Sequence, residues 1–150
     1  MSKVYRAVKT FKKKYPMCIA WRLPKHAAII EKNLHPGEKV LFAFPGQREQ
    51  SSLNIFSTCI VCLTDKRILV GKKGLIYGWM CISITPDKFN DLKVRANIIF
   101  GKAVIDTLKE EVMITNLDKK SLATIKSKIT TEMLEKKKKF FSKASGAREE

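Results

Sequence analysis

The sequence predicts a mainly β fold with helical flanks, in which seven short strands form a barrel or sandwich and one helix closes an end. Three observations support this fold class. Residues 39–115 consist of short apolar runs separated by turn residues. Residues 2–34 instead place apolar side chains at helical spacing, and the helical period returns after Asp118. The predicted order is therefore two helices, seven strands and one helix.

The N-terminal segment predicts two short helices. Residues 2–15 suit an amphipathic helix that ends at Pro16, with most of its lysines off the apolar stripe. The stripe consists of Val4, Val8, Phe11 and Tyr15. A second helix is expected to start at Pro24, because proline suits the first helical position, and to run to Leu34.

The central segment predicts strands joined by tight turns. The predicted strands cover residues 39–44, 54–63, 67–71, 75–84, 92–100, 103–107 and 112–115. We expect Pro45 and Gly46 to close the first strand, and residues 64–67 and 72–74 to form turns, with Gly74 at positive φ. Tyr77 and Trp79 fall on one face of the fourth strand, where we expect them to pack against neighbouring side chains.

The C-terminal segment predicts a helix followed by a basic tail. Asp118 is the expected N-cap, and the apolar stripe of the helix consists of Leu122, Ile125, Ile129 and Met133. We expect this stripe to pack on the sheet. Residues 136–150 read KKKKFFSKASGAREE and are expected to form a flexible tail beyond the core.

Positive charge is concentrated in the flanks of the chain. The net charge is +16. Residues 1–35 carry nine Lys/Arg against one acid, which gives +8, and residues 119–150 carry ten against four, which gives +6. Residues 36–118 carry eleven against nine, only +2. A polyanion is therefore the expected partner: anionic lipid headgroups, nucleic acid or an acidic protein.

The cysteines do not predict a metal or redox site. Cys59 and Cys62 form a C-x-x-C, but on a strand residues three apart point to opposite faces and cannot share a metal ion. We interpret them, with Cys18 and Cys81, as small buried thiols in the reduced state.

The sequence also lacks the motifs that predict catalysis. It contains no G-x-S-x-G, no P-loop and no H-E-x-x-H. His26 and His35 are interpreted as a helix-surface residue and a helix-end residue. We therefore expect no enzymatic activity and no cofactor or metal.

Three segments resemble those of a known family. Residues 34–40 read LHPGEKV, residues 63–69 read LTDKRIL and residues 84–92 read ITPDKFNDL. In this order they resemble the bacterial pleckstrin-homology (PH) domains of the YokE-like type. The resemblance implies a seven-stranded barrel capped by a C-terminal helix, with no catalytic residues. It divides the chain into a basic helical extension (1–35), a PH-like domain (36–135) and a basic tail (136–150).

The loop that binds phosphoinositides in eukaryotic PH domains is different here. Those domains place several Lys/Arg at the end of the first strand and the start of the second. The matching residues 45–50 read PGQREQ, which supplies one Arg beside a Glu. This difference argues against specific phosphoinositide binding.

The strongest functional pattern is the run KKKKFFSK at residues 136–143, in which five lysines surround two phenylalanines. Lysines attract an anionic leaflet and Phe rings insert at its interface, and the basic N-terminal helix would add a second contact. The candidate residues are Lys12, Lys13, Lys14, Lys136, Lys137, Lys138, Lys139, Phe140, Phe141 and Lys143. The alternative is that these lysines complement a helix dipole and confer solubility while the Phe rings fold back onto the domain.

These observations predict a non-enzymatic binding or adaptor module that contacts an anionic membrane surface through its basic flanks. One alternative is a protein-partner module whose flanks serve solubility and steering, and another is non-specific nucleic-acid binding. The longest uncharged run, residues 50–64, is 15 residues and too short to span a bilayer, and the N-terminus has no secretory signal. The expected location is the cytoplasm, with at most a peripheral contact with the inner face of the membrane.

Overall fold

The computed structural model describes residues 2–48 and 57–149, with side chains up to residue 146. The helices are α1 (Lys3–Lys14), α2 (Leu23–Asn33) and α3 (Leu122–Glu149). The strands are β1 (Val40–Arg48), β2 (Thr58–Thr64), β3 (Ile68–Lys73), β4 (Trp79–Ile84), β5 (Phe89–Ala96), β6 (Gly101–Thr107) and β7 (Glu111–Leu117). Short 3-10 helices cover Pro86–Lys88 and Lys119–Ser121.

The seven strands form one antiparallel sheet in the order β4-β3-β2-β1-β7-β6-β5. Its inner face encloses the larger core, and the buried stripe of α3 from Leu122 to Met133 covers that core. The order of elements and the C-terminal helix confirm the predicted PH-like fold class. One difference is that, within the described part of the chain, β4 and β5 each pair on one side only and the sheet is not closed.

The C-terminal half of α1 fills an opening between β1 and α3. β1 pairs with β7 through Gln47 and Arg48, and no other described strand lies along the rest of this edge of β1. The Phe11 ring lies 5.6 Å from the Phe42 ring, and the hydroxyl of Tyr15 lies 2.8 Å from Thr124 Oγ1 on α3. The predicted apolar stripe of α1 is therefore buried as expected.

A second core lies on the outer face of β1, β2 and β3, where α1 and α2 pack. Ile30 of α2 sits directly over Gly71 of β3, and a Cβ at this glycine would collide with it. Because both of its faces are covered, all seven residues of β2 are buried. The helical extension is thus an integral layer of the fold.

The prediction that Pro45 and Gly46 close the first strand is wrong, because β1 continues through both to Arg48. The backbone N–H of Arg48 donates to the carbonyl of Ser57 at 2.8 Å. Because every second residue of an antiparallel strand bonds to the same neighbour, Arg48, Gly46 and Phe44 face β2. The nitrogen of Pro45 therefore points away from β2, toward the side of β1 where no described strand pairs with it. A proline costs no ladder hydrogen bond at such a position.

Two other strands are shorter than predicted. Residues 74–78 form a loop between β3 and β4, and the positive φ of 81° lies at Gly78 and not at Gly74. Tyr77 is therefore in this loop, and both Tyr77 and Trp79 are exposed, contrary to the prediction that they pack against neighbours. β5 ends at Ala96, because the Asn97 side chain accepts hydrogen bonds from the amides of Ile99 and Phe100 and forms a turn.

The backbone after Lys136 is also more regular than predicted. α3 continues without interruption to Glu149, so the segment expected to be irregular is helical. Its predicted role as a separate flexible tail stays a prediction. Residues 54–56 of the predicted second strand lie outside the described residues.

His26 is fully buried, which corrects its interpretation as a helix-surface residue. Its Nδ1 accepts the amide hydrogen of Lys73 at 2.8 Å, so Nε2 carries the ring proton and lies 2.8 Å from Thr58 Oγ1. The Thr58 hydroxyl in turn donates to the carbonyl of Trp21 at 3.0 Å. Burial, followed by the charges of Arg22 and Lys72, lowers the pKa of His26 to about 4.

This environment predicts a pH-dependent stability. The unfolded histidine has a pKa of roughly 6.5, so between pH 6.5 and 4 the unfolded chain binds the proton and the folded chain does not. The free energy of unfolding is therefore expected to fall by about 3 kcal/mol as the pH falls through this window. Urea denaturation as a function of pH measures it. His26→Gln removes the part of this dependence that comes from His26 and leaves the part that Glu38 contributes at the acid end, because the pKa of that carboxyl is also lowered in the fold. The exposed-residue control His35→Gln keeps the full dependence; equal slopes in all three proteins would contradict the assignment.

Candidate functional site

A buried ion pair organises one end of the domain, which we name the turn end after its turn at residues 64–67. Glu38 and Arg67 both lie among the buried residues. Arg67 Nε donates to Glu38 Oε1 at 2.9 Å and Nη2 donates to Oε2 at 3.2 Å. Burial alone would raise the pKa of Glu38, but the hydrogen bonds from Arg67, His35 and Thr64 outweigh it and the pKa is lowered. Both groups are therefore charged and neutralise each other.

The remaining donors of Arg67 tie three segments together. Nη2 also donates to the carbonyl of Asn33 at the end of α2 at 2.7 Å, and Nη1 donates to Ser83 Oγ on β4 at 2.9 Å. Thr64 Oγ1 lies 3.2 Å from Glu38 Oε1. Each of the three guanidinium nitrogens of Arg67 donates to a protein acceptor, so this buried cation has a structural role.

The turn itself displays cations that are free to contact a ligand. The Thr64 amide donates to the carbonyl of Arg67 at 2.9 Å, which closes the turn and leaves Lys66 exposed at its tip. Asp65 Oδ1 accepts the amide hydrogen of Lys39 at 2.8 Å, so the exposed Lys39 side chain is held beside the turn.

α3 is attached to the turn end by two lysines. Lys136 Nζ donates to the carbonyl of Thr64 at 3.0 Å and pairs with Glu132 at 3.2 Å. Lys137 Nζ donates to the carbonyl of Phe89 at 2.6 Å. Two of the predicted membrane-contact lysines therefore hold the helix against the sheet.

Beyond Lys137, α3 projects from the domain. Residues 138–146 are exposed without exception, and the helix from Lys138 to its end is about 18 Å long at 1.5 Å per residue. Phe140 and Phe141 are 50% and 52% exposed, and their rings meet edge to face at 5.6 Å. They do not fold back into the core. We name residues 138–146 the α3 extension.

The α3 extension is amphipathic. Phe140 lies one helical turn before Ala144, and Phe141 lies two turns after Leu134, an exposed residue just before the extension. These four residues lie on one apolar side of the helix. The neighbouring lysines are Lys138, Lys139 and Lys143, none of which forms an ion pair with a described residue. The segment offers cations and rings side by side.

The structure does not bring Lys12, Lys13 and Lys14 to this surface. Tyr15, which follows them, bonds to Thr124 near the start of α3. Lys138 lies fourteen residues farther along the helix, a distance of about 21 Å. The two basic runs therefore lie on separate parts of the surface, and the second contact through the N-terminal helix stays a prediction.

Other cations, which the sequence analysis did not single out, lie nearer the turn end. Lys3, Arg6 and Lys39 line an open groove of about 450 Å³ between α1 and the start of β1, and Val40 in this groove pairs with Thr64. The sequence feature that indicates this site is the i, i+3 spacing of Lys3 and Arg6, which makes them neighbours on the polar side of α1. Only the packing of α1 on β1 shows that they approach Lys39.

The C-x-x-C cysteines lie on opposite faces of β2, as predicted. Cys59 belongs to the inner core and Cys62 to the outer core, and burial raises the pKa of both thiols to about 12. They cannot ligate one metal ion, and no group of three or more potential metal ligands occurs among residues 2–48 and 57–149.

The buried ion pair makes a testable prediction. Arg67→Met leaves Glu38 buried without its partner, and we expect the free energy of unfolding to fall by about 3–5 kcal/mol in urea denaturation. The matched control Arg95→Met, at an exposed site on β5, should change it by about 0.5 kcal/mol or less. Adding Glu38→Gln to Arg67→Met should restore part of the loss, because the unpaired charge is removed. A double variant less stable than Arg67→Met would contradict this explanation.

Comparison with known protein families agrees with this architecture. The family described as "Bacterial PH domain" matches residues 34–131, a range that contains the three motif segments. A crystal structure of a pleckstrin homology domain from Shewanella amazonensis SB2B is 14% identical, covers 79% of this chain and 91% of that chain, and has a TM-score of 0.44. The search of curated proteins gives no match. Within the described part of the chain no helix is long and apolar enough to cross a membrane.

The match to the family covers about two thirds of the chain, and it begins at the segment that supplies Glu38 and contains Arg67. The YokE-like subtype stays a prediction. Membership supports a general role as a binding or adaptor module. The chain belongs to the bacterial PH domain family.

Proposed function

We propose that this protein is a non-enzymatic binding module that docks on an anionic membrane surface through the α3 extension. The observation that carries the proposal is the half-exposed pair Phe140 and Phe141 on a helix that projects beyond the last buried residue of its stripe, Met133. Exposed rings of this size are costly in water and favourable at a bilayer interface.

The charges around the α3 extension support the same partner. Lys138, Lys139 and Lys143 each gain about 1 kcal/mol near an anionic leaflet. Their sum, about 3 kcal/mol, is enough for weak and reversible attachment, and the rings add an apolar contribution that salt does not screen.

The turn end supplies further cations on the same side of the domain. Lys39 and Lys66 lie beside the site where Lys136 bonds to Thr64, and Lys3 and Arg6 lie across the groove from Lys39. In this arrangement Lys136 and Lys137 fix the direction of α3 while the residues after them contact lipid. Lys12, Lys13 and Lys14 contribute through the overall field of the protein and not through the same contact.

We predict that the triple change Lys138→Gln, Lys139→Gln and Lys143→Gln weakens binding to anionic vesicles roughly a hundredfold, the equivalent of about 3 kcal/mol. Co-sedimentation with vesicles of phosphatidylcholine, with and without phosphatidylserine, measures this at low and physiological salt. The matched control is Lys12→Gln, Lys13→Gln and Lys14→Gln, which removes the same charge about 20 Å away along α3 and should weaken binding much less.

The rings are tested separately. Phe140→Ser with Phe141→Ser leaves every lysine in place and should weaken binding about tenfold at each salt concentration, because apolar insertion is not screened. Equal losses in the two triple-lysine variants would show that net charge alone acts and would contradict docking through the α3 extension. Absence of binding by the unaltered protein at physiological salt would reject the membrane proposal.

A further inference from the structure

No strand among residues 2–48 and 57–149 pairs with the outer edge of β4. β4 is the last strand on its side of the sheet, and the Gly74 amide donates to the carbonyl of Gly78 at 2.9 Å in the loop before it. In an antiparallel pair, every second residue directs its backbone N–H and C=O toward the partner strand. Counted from the bond between Gly74 and Gly78, the residues of β4 that face β3 are Met80, Ile82 and Ile84. Those of Trp79, Cys81 and Ser83 therefore point outward, and no described residue hydrogen-bonds to them.

This edge also lacks the features that protect exposed strands. β4 reads WMCISI and contains neither a charged residue nor a proline. The opposite edge strand, β5, carries three exposed charged side chains, Asp91, Lys93 and Arg95. Charged side chains on an edge discourage pairing with another chain. The sheet thus protects one edge and leaves the other able to accept a strand.

An exposed apolar surface continues from the start of β4. Ile76 and Tyr77 in the loop at residues 74–78 are 88% and 86% exposed, and Trp79 is 60% exposed. The loop is held in place because the Arg22 guanidinium donates to the carbonyls of Lys73 and Gly74 at 3.3 and 3.1 Å. Exposed apolar side chains grouped at one place on a soluble domain indicate an interaction surface.

The charges around the edge favour an acidic partner. Lys72 and Lys73 end β3 beside the start of β4. At the other end of β4, a cleft of about 290 Å³ is lined by Ser83 and Ile84 together with Lys88 and Lys109. Glu110 also lines this cleft, but its carboxylate lies 3.7 Å from Arg48 and is partly neutralised. The edge therefore has lysines at both ends, while the two arginines that contact β4 between them, Arg48 at Met80 and Arg67 at Ser83, are paired with Glu110 and Glu38.

We propose that β4 binds an extended segment of a partner protein, with alternating apolar and acidic residues, by adding it to the sheet as an eighth strand. The outward backbone groups of Trp79, Cys81 and Ser83 supply the hydrogen bonds, as in other strand-addition complexes. The aromatic and aliphatic side chains at residues 75–79 contact its apolar residues, and the lysines at both ends of β4 attract its acids.

A second copy of this chain is a poorer occupant of the same edge. Each copy carries a net charge of +16, and antiparallel pairing of two β4 strands would bring their flanking lysines together. The edge shares no residue with the α3 extension. Its loop at residues 74–78 lies at the opposite end of β3 from the turn at residues 64–67, whereas its other end, at Ser83 and Ile84, lies beside that turn. The strand edge and the α3 extension use different residues and can be tested with different variants.

The test uses the full chain labelled with ¹⁵N and a short blocked peptide that alternates Glu and Val. We expect saturable shifts of the amide signals of β4 at physiological salt. Cys81→Pro removes an outward N–H but none of the hydrogen bonds to β3, and it should weaken peptide binding about tenfold or more. The matched control Cys81→Val keeps the N–H and should bind the peptide as the unaltered protein does. The Lys/Val peptide should not bind.

A second experiment changes the peptide and not the protein, so it remains informative if Cys81→Pro fails to fold. N-methylation of alternate amides of the Glu/Val peptide removes its donors toward β4 and should abolish the shifts with the unaltered protein. Binding that survives both N-methylation and Cys81→Pro, or shifts that map away from β4, would overturn the proposal. Shifts of β4 that depend on protein concentration alone would identify a second copy as the occupant, and shifts produced by anionic vesicles but not by peptide would identify a membrane.

Discussion

The ion pair between Glu38 and Arg67 is the constraint on which the arrangement of this domain depends. Burying either charge without its partner would be strongly destabilising. The Arg67 guanidinium bonds to Glu38 before β1, to Asn33 at the end of α2 and to Ser83 on β4, so it holds these segments against the β2–β3 turn. It also explains in physical terms why the segments LHPGEKV and LTDKRIL occur together: one supplies the carboxylate, the other the guanidinium, and the turn residue Thr64 bonds to both segments. Lys39 and Lys66 are then displayed on a rigid base.

Features that depend on local pattern were predictable from the sequence. The stripes of α1 and α3, the turn at residues 64–67 and the opposite orientations of Cys59 and Cys62 follow from periodicity and turn chemistry. The errors came from pairing between distant segments. Pro45 is accommodated within β1 because β7 pairs with only two residues of that strand, and His26 is buried because Thr58 and Lys73 supply its hydrogen bonds. No local signal contains that information.

The candidate site was predictable in composition but not in arrangement. The run at residues 136–143 was identified, yet two of its lysines bond to backbone carbonyls of the sheet, and Lys12, Lys13 and Lys14 lie elsewhere. Lys3, Arg6 and Lys39 form a groove only after α1 has packed on β1. The resulting molecule has two different ends: a basic end with a projecting amphipathic helix, and an apolar loop beside an open strand edge. An adaptor requires such a separation if it is to hold a surface and a partner at once.

The orientation of the domain on a bilayer tests this account most directly. The chain has two tryptophans, Trp21 and Trp79, and both lie at the end of the domain opposite the turn at residues 64–67. Fluorescence quenching by brominated lipids in anionic vesicles reports which groups reach the acyl chains. We predict that the native tryptophans stay unquenched in the bound protein, while a tryptophan introduced by Phe140→Trp is quenched. Quenching of the native tryptophans, with none at position 140, would contradict it and place the loop end against the membrane.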